Sequence, residues 1–336
     1  MGKKIGWSIS IVGLVILLSI TQALPSNLPP PQQLTLLGKT ATAPQQAIDF
    51  SYTENTFSSN FSNDEIDFND TRHHGFKWYL GRFFGWKPTP AKHFYLPDDG
   101  PLTIKTGFKR ANLSIATATT VKDTKRWVGQ AFGGGGYFEA EIKFDPVYVK
   151  NLNNKGWPSF WTMAIEHMAN LPESQWPSQE KGYVNFIEVD ILEYLFKKED
   201  NTNVYGANMH NWFGVWQETC YPKPFCKHSL PYRQVRKTVP PDTDFNKYHK
   251  YGFLWVPATR ETDGFGQFYF DDKPIGEKIT WEIYDNQSPS MIKQPWTFGI
   301  IDRQHLVLIL GTGENQPMTI RSVNVWQKSG KNNLVQ

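Results

Sequence analysis

The sequence predicts an all-β protein, a two-sheet β-sandwich, on three observations. Short apolar runs recur along the chain between turns, no segment of twelve or more residues carries a helical stripe, and 26 Gly and 23 Pro punctuate the length. The chain has 336 residues, with 13 Trp, 14 Tyr and 23 Phe. That length suits a single large β-domain behind a leader. Net charge is +3 and no basic stripe stands out, so nucleic acid is not implied as a partner.

The elements follow in order. At the N-terminus, Lys3 and Lys4 precede an apolar stretch from about Ile9 to Ile20, and Thr21-Gln22-Ala23 is an acceptable cleavage site. The stretch is short for a membrane span, so residues 1–23 read as an export signal, with an uncleaved anchor as the alternative and the only link to a membrane. Residues 24–47 are rich in Pro, Gln and Thr and read as a flexible spacer, leaving 48–330 as the folded domain. FEAEIKF (138–144) sets Phe138, Ala140, Ile142 and Phe144 against Glu139, Glu141 and Lys143, a strand with one face in the core. FGQFYFDDKPI (265–275) reads as a strand, a turn at Asp271-Asp272 and a return. LVLIL (306–310) is too apolar to alternate and suits a strand covered on both faces, and MTIRSVNVWQ (318–327) is a closing strand. Cys220 and Cys226, in CYPKPFC, read as a short disulfide loop consistent with export. A zinc site would need four ligands, and only His228 lies close by.

One strand stands apart. NFIEVDILEYLF (185–196) holds Glu188, Asp190 and Glu193 in an otherwise apolar run. Glu188 and Asp190 are two apart and share a face, whereas Glu193, three further on, would face the opposite way in a regular strand. One extra residue between 190 and 193, a β-bulge, returns it to the face of Glu188. The two glutamates are then about 13 Å apart at their α-carbons. Their side chains can converge towards the carboxyl separation of about 5 to 5.5 Å used in retaining glycoside hydrolysis. Crowding raises at least one pKa, so that one carboxyl can stay protonated while another is ionised. Taken alone, the same acids also read as a solvated strand face or as calcium ligands.

EVDILE resembles the Glu-x-Asp-x-x-Glu signature of glycoside hydrolase family 16 in its bulged, laminarinase-like form. GGYFEAEIKF (135–144), GWPSFWTM (156–163), NVYGANMH (203–210), YHKYGFLW (248–255), FYFDDKPI and IRSVNVWQ resemble further segments of that family in the same order, over roughly residues 50–328. The resemblance implies a concanavalin-like jelly roll with a concave cleft, and endo-acting, retaining hydrolysis of a β-linked polysaccharide of 1,3-β-glucan or galactan type. It implies Glu188 as nucleophile, Asp190 as its helper and Glu193 as acid/base. No cofactor is required, and calcium is not indicated. A secreted monomer acting on polysaccharide is the expectation; a glycan-binding jelly roll or a transglycosylase using the same residues is the alternative. The chain departs from the family pattern at Phe186-Ile187, at Asp271-Asp272 and over 211–240, which puts the particular polysaccharide in doubt. Trp157, Trp161, His210 and Trp212 lie near the acids in sequence and are candidate substrate contacts, since an aromatic face suits the apolar side of a sugar ring. Trp255, Trp326 and His249 read as structural.

Overall fold

The computed structural model describes residues 41–336 except 82–87, 99, 106–112, 123, 125, 147–157, 169–182, 195–203, 216–231, 284–297, 313–315, 331–333 and 336. Alternation along the strands sorts side chains into layers. In the strand Tyr183–Glu193, Ile187 and Val189 enter the main core while Glu188 and Asp190 point away from it. The same parity runs across neighbouring strands and stacks two sheets face to face.

The larger sheet runs in the order Tyr232–Thr238, Val204–Val215, Tyr183–Glu193, Ser159–Ala164, His305–Thr312, Leu113–Ala116, Trp78–Leu80, Ile66–Asp67. Trp127–Gly133 joins it by pairing with the start of His305–Thr312. The smaller sheet runs Lys273–Trp281, Gly264–Phe270, His249–Val256, Gly136–Lys143, Met318–Gln327, Leu102–Ile104, Phe94–Tyr95, and Glu54–Ser59 also pairs with Met318–Gln327. Pairing is antiparallel apart from the parallel contact of Ile66–Asp67 with Trp78–Leu80. Strands distant in sequence lie side by side, giving a two-sheet jelly-roll sandwich. The helices among the described residues include two of four residues, Gln45–Ile48 and Ile165–Met168. No helix among the described residues is long and apolar enough to cross a membrane. The expected leader, 1–23, lies outside the described residues.

Leu306, Leu308 and Leu310 fill the inter-sheet core with Phe138, Ala140, Ile142, Phe253 and Trp255. Val307 and Ile309 are buried on the other side of the same strand, against Met163 and Phe186, so LVLIL is covered on both faces. The hairpin turn falls at Asp271-Asp272, with φ of 46° and 64° as a two-residue primed turn requires.

The outer side of the smaller sheet is covered too. Ala47 and Tyr52 pack on Tyr137, Leu254 and Trp326, and Trp326 Nε1 donates to the Ala41 carbonyl at 3.1 Å. The expected spacer, 24–47, therefore overlaps this layer from residue 41, because Ala41, Ala43 and Ala47 supply the small apolar surface that the aromatic cluster lacks. Gln46 donates to Tyr137 Oη at 2.9 Å and to Asp272 at 3.0 Å, and Tyr137 donates to Glu139 at 3.2 Å.

This cover buries Glu139 and pushes its pKa from 4.5 up to about 7; Lys250 opposes the rise and Asp272 adds to it. An acid whose folded pKa lies above its unfolded value holds its proton more tightly in the native chain. Its effect is a loss of stability as pH rises from about 4.5 to about 7. Glu139→Gln removes that loss. Thermal unfolding from pH 4 to 8 should give a flatter profile for the variant, which gains up to about 3 kcal/mol over the parent at the alkaline end. Parallel profiles would show that Glu139 does not carry the effect.

Candidate active site

The site is set by the pairing of Tyr183–Glu193. Against Val204–Val215, Phe186 lies opposite Trp212, Glu188 opposite His210 and Asp190 opposite Asn208, and the next pair is Glu193 with Gly206. Two residues, Ile191 and Leu192, therefore span one, Ala207. On the other side, Trp161 pairs with Asp190, Phe160 with Leu192 and Ser159 with Glu193, which leaves Ile191 as the extra residue. This is the bulge that the spacing of the acids predicts. It sends both Ile191 and Leu192 into the core. It also keeps Glu193 out of the core, where an unpaired carboxyl would be costly.

Asp190 is 2% exposed, and Glu188 and Glu193 are half-buried. Asp190 hydrogen-bonds both glutamates, so one carboxyl bridges the other two. Its Oδ2 lies 2.8 Å from His210 Nε2. Asn208 Nδ2 donates to Glu193 Oε2 at 3.4 Å, and the Trp212 side chain lies beside Glu188.

Burial is the main cause that raises all three pKa values. For Glu188 the negative charge of Asp190 adds to it, while His210 and Trp212 oppose it. For Asp190 the charge of Glu193 adds to it. For Glu193, His210, Asp190 and Asn208 all favour the ionised form. The three titrate as one system that cannot readily lose all its protons together.

An aromatic row flanks the acids. The His210 and Trp212 rings stack at 5.9 Å, Trp212 and Phe186 at 6.3 Å, and Phe186 and His167 at 3.6 Å. Trp161 is half-buried and paired with Asp190 across the adjacent strand. Trp161, His210 and Trp212 thus all reach the acidic face. Trp157, Cys220 and Cys226 lie outside the described residues. The sequence reading missed Asn208, Phe186 and His167. Parity with His210 marks Asn208 once the strand is accepted, and parity with Glu188 marks Phe186. His167 comes from the short helix Ile165–Met168 and left no such signal. Burial lowers its pKa to about 4, which keeps the ring neutral against Phe186.

Glu188, Asp190 and His210 offer ligand atoms all within 4.8 Å of one another, close enough to gather round a divalent cation. The Asp190 and His210 atoms concerned already face each other at hydrogen-bond distance, and a cation would have to replace that contact.

No family model matches the sequence, and no curated protein matches it. Among solved structures, the chain is similar to an endo-1,3-beta-glucanase from Streptomyces sioyaensis, with 16% identity, a TM-score of 0.48 and coverage of 81% of this chain and 95% of that one. It is similar to a LamA variant from Z. galactanivorans in complex with laminaritriose and laminaritetraose, with 14% identity, a TM-score of 0.45 and coverage of 81% and 98%. It is also similar to the kappa-carrageenase from Pseudoalteromonas carrageenovora in complex with an oligotetrasaccharide of kappa-carrageenan, with 15% identity, a TM-score of 0.39 and coverage of 74% and 86%. At these identities and TM-scores the likeness assigns neither activity nor substrate to this chain.

The electrostatics of the site are testable without a substrate. Asp190→Ala removes a like charge beside Glu188 and opens space for water. The Glu188 pKa should fall towards 4.5, read by carboxyl-carbon NMR titration of glutamate-labelled protein. An unchanged or higher pKa would contradict the assignment of its causes.

Proposed function

We propose that the protein is an endo-acting, retaining glycosidase of a β-linked polysaccharide, of 1,3-β-glucan or galactan type, with Glu188 as nucleophile, Glu193 as acid/base and Asp190 between them. The observation that carries this reading is the bulge at Ile191, which gathers three carboxyls on one sheet face and links them through Asp190. A solvated strand face would leave its acids exposed and hydrated, and these are buried or half-buried and bonded to one another. Retention requires the two glutamate carboxyls to lie about 5 to 5.5 Å apart, rather than across the wider gap that admits a water.

In the first half-reaction the Glu188 carboxylate attacks the anomeric carbon. The bond to the leaving oxygen breaks as Glu193 protonates that oxygen, leaving a covalent glycosyl-enzyme. In the second, Glu193 takes a proton from water, and the water oxygen displaces Glu188 with restoration of both groups. His210, Asp190 and Asn208 favour the ionised form of Glu193, whereas the charge of Asp190 opposes ionisation of Glu188. A proton passed from Glu188 to Asp190 and from Asp190 to Glu193 reverses this and yields the productive pair. Trp212, His210 and Trp161 supply faces for sugar rings, with the buried Phe186 packed against Trp212. Export through residues 1–23 and a Cys220–Cys226 disulfide belong to the same proposal.

The test is product analysis after incubation with laminarin, mixed-linkage glucan, agarose and carrageenan. The parent should release oligosaccharides from at least one of them. Glu188→Gln and Glu193→Gln should each lower kcat/KM by about a thousandfold or more without lowering the unfolding temperature. Full activity in either variant would overturn the assignment. Binding without cleavage by the parent would instead mark a glycan-binding jelly roll.

A further inference from the structure

A second buried carboxylate–imidazole pair lies on the acidic face, two strands from the acids. His305 begins the strand His305–Thr312, and its side chain shares the parity of Val307 and Ile309, which cluster with Met163 and Phe186 on that face. Glu166, 3% exposed, accepts from His305 Nδ1 at 2.7 Å with one oxygen and from the His305 backbone N–H at 3.1 Å with the other. Both carboxylate oxygens are thus spent on a single residue, which fixes the ring. The opposite strand makes room for it. Gly133 pairs with His305, and a Cβ there would lie 2.4 Å from His305 Cδ2 and 2.7 Å from Nε2. The side chain of His305 remains 27% exposed, and among the described residues its Nε2 has no hydrogen-bond partner.

An oriented imidazole with a free Nε2 has a defined chemistry. In the tautomer with Nδ1–H committed to Glu166, Nε2 carries no proton and presents its lone pair as an acceptor. Glu188 pairs with Met163, and Met163 with Val307, two residues from His305. Two strand spacings and two residue rises place His305 about 12 Å from Glu188 at the α-carbons. That is beyond the sugar being cut but within reach of the same glycan chain.

We infer that His305, held by Glu166 and given space by Gly133, accepts a hydrogen bond from a free sugar hydroxyl at a remote position of the bound chain. It thereby selects unsubstituted β-glucan over galactan carrying sulfate at that position. A sulfate ester has no proton to give the Nε2 lone pair. His305 is a specificity-determining residue here, and Glu166 its positioning residue. The inference rests on the glycosidase reading above.

Calorimetric binding to the uncleaving Glu188→Gln parent separates the two readings. The probes are three-unit and six-unit β-1,3-gluco-oligosaccharides and a sulfated carrageenan oligosaccharide. His305→Leu in that parent should weaken the six-unit glucan about three- to tenfold and leave the three-unit glucan and the sulfated chain unchanged. His305→Gln, which restores an acceptor, should recover most of the loss. Gly133→Ala keeps both side chains but displaces the ring, and should reproduce the length-dependent loss. Equal loss at both lengths, no loss, or a loss confined to the sulfated chain would overturn the inference. If the parent binds no oligosaccharide at all, the glycosidase reading itself falls, and this one with it.

Discussion

A strand has two faces, and a carboxyl on the inner one loses its water without gaining a partner. That constraint governs this molecule at Ile191. With the extra residue in place, Ile191 and Leu192 both fill the core, and Glu193 returns to the side of Glu188 and Asp190. Without it, either Glu193 is buried between the sheets or the apolar residues beyond it turn outwards. The register of Ser159–Ala164 and Val204–Val215, and so the positions of Trp161 and Asn208, follows from the same single residue.

Buried acids elsewhere in the chain show what distinguishes the site. Asp302 is also taken from water, but it accepts from Trp255 Nε1, Trp281 Nε1 and the Ala258 backbone N–H at 2.8 to 3.0 Å. Such an acid ties sheet and turn together, with both oxygens accepting from fixed donors. The three acids on the larger sheet face one another, with His210 and Asn208 as hydrogen-bond partners of Asp190 and Glu193. Each raises the cost of ionising another. Groups arranged in this way store free energy that a substrate with developing positive charge can release. Asp302 and the three acids on the larger sheet differ in who donates to them.

Much of this was legible in the sequence because the signals are local. The alternation in 138–144, the unbroken apolar run 306–310 and the Asp271-Asp272 turn each depend on neighbours along the chain. The bulge was legible for the same reason, since a spacing of three among acids spaced by two has no regular solution. Burial of Glu139 was not, because it depends on Gln46 and Ala47 returning to a sheet 91 residues away in the case of Gln46 and Tyr137. Nor was the Glu166–His305 pair, whose members are 139 residues apart and meet only when two strands are placed side by side. A lone His beginning an apolar strand and a Glu in the short helix after another strand carry no mutual mark. Gly133 became meaningful only with the ring that lies against it.

The central claim is that the bulge brings Glu193 and Glu188 close enough for direct attack and a covalent intermediate. It is tested most directly by the configuration of the first-formed product, read by proton NMR of the anomeric centre before it equilibrates in solution. Two successive displacements predict that a β-linked substrate yields the β-anomer first. An α-anomer appearing first would mean that water attacks in one step, and that Glu188 is not the nucleophile.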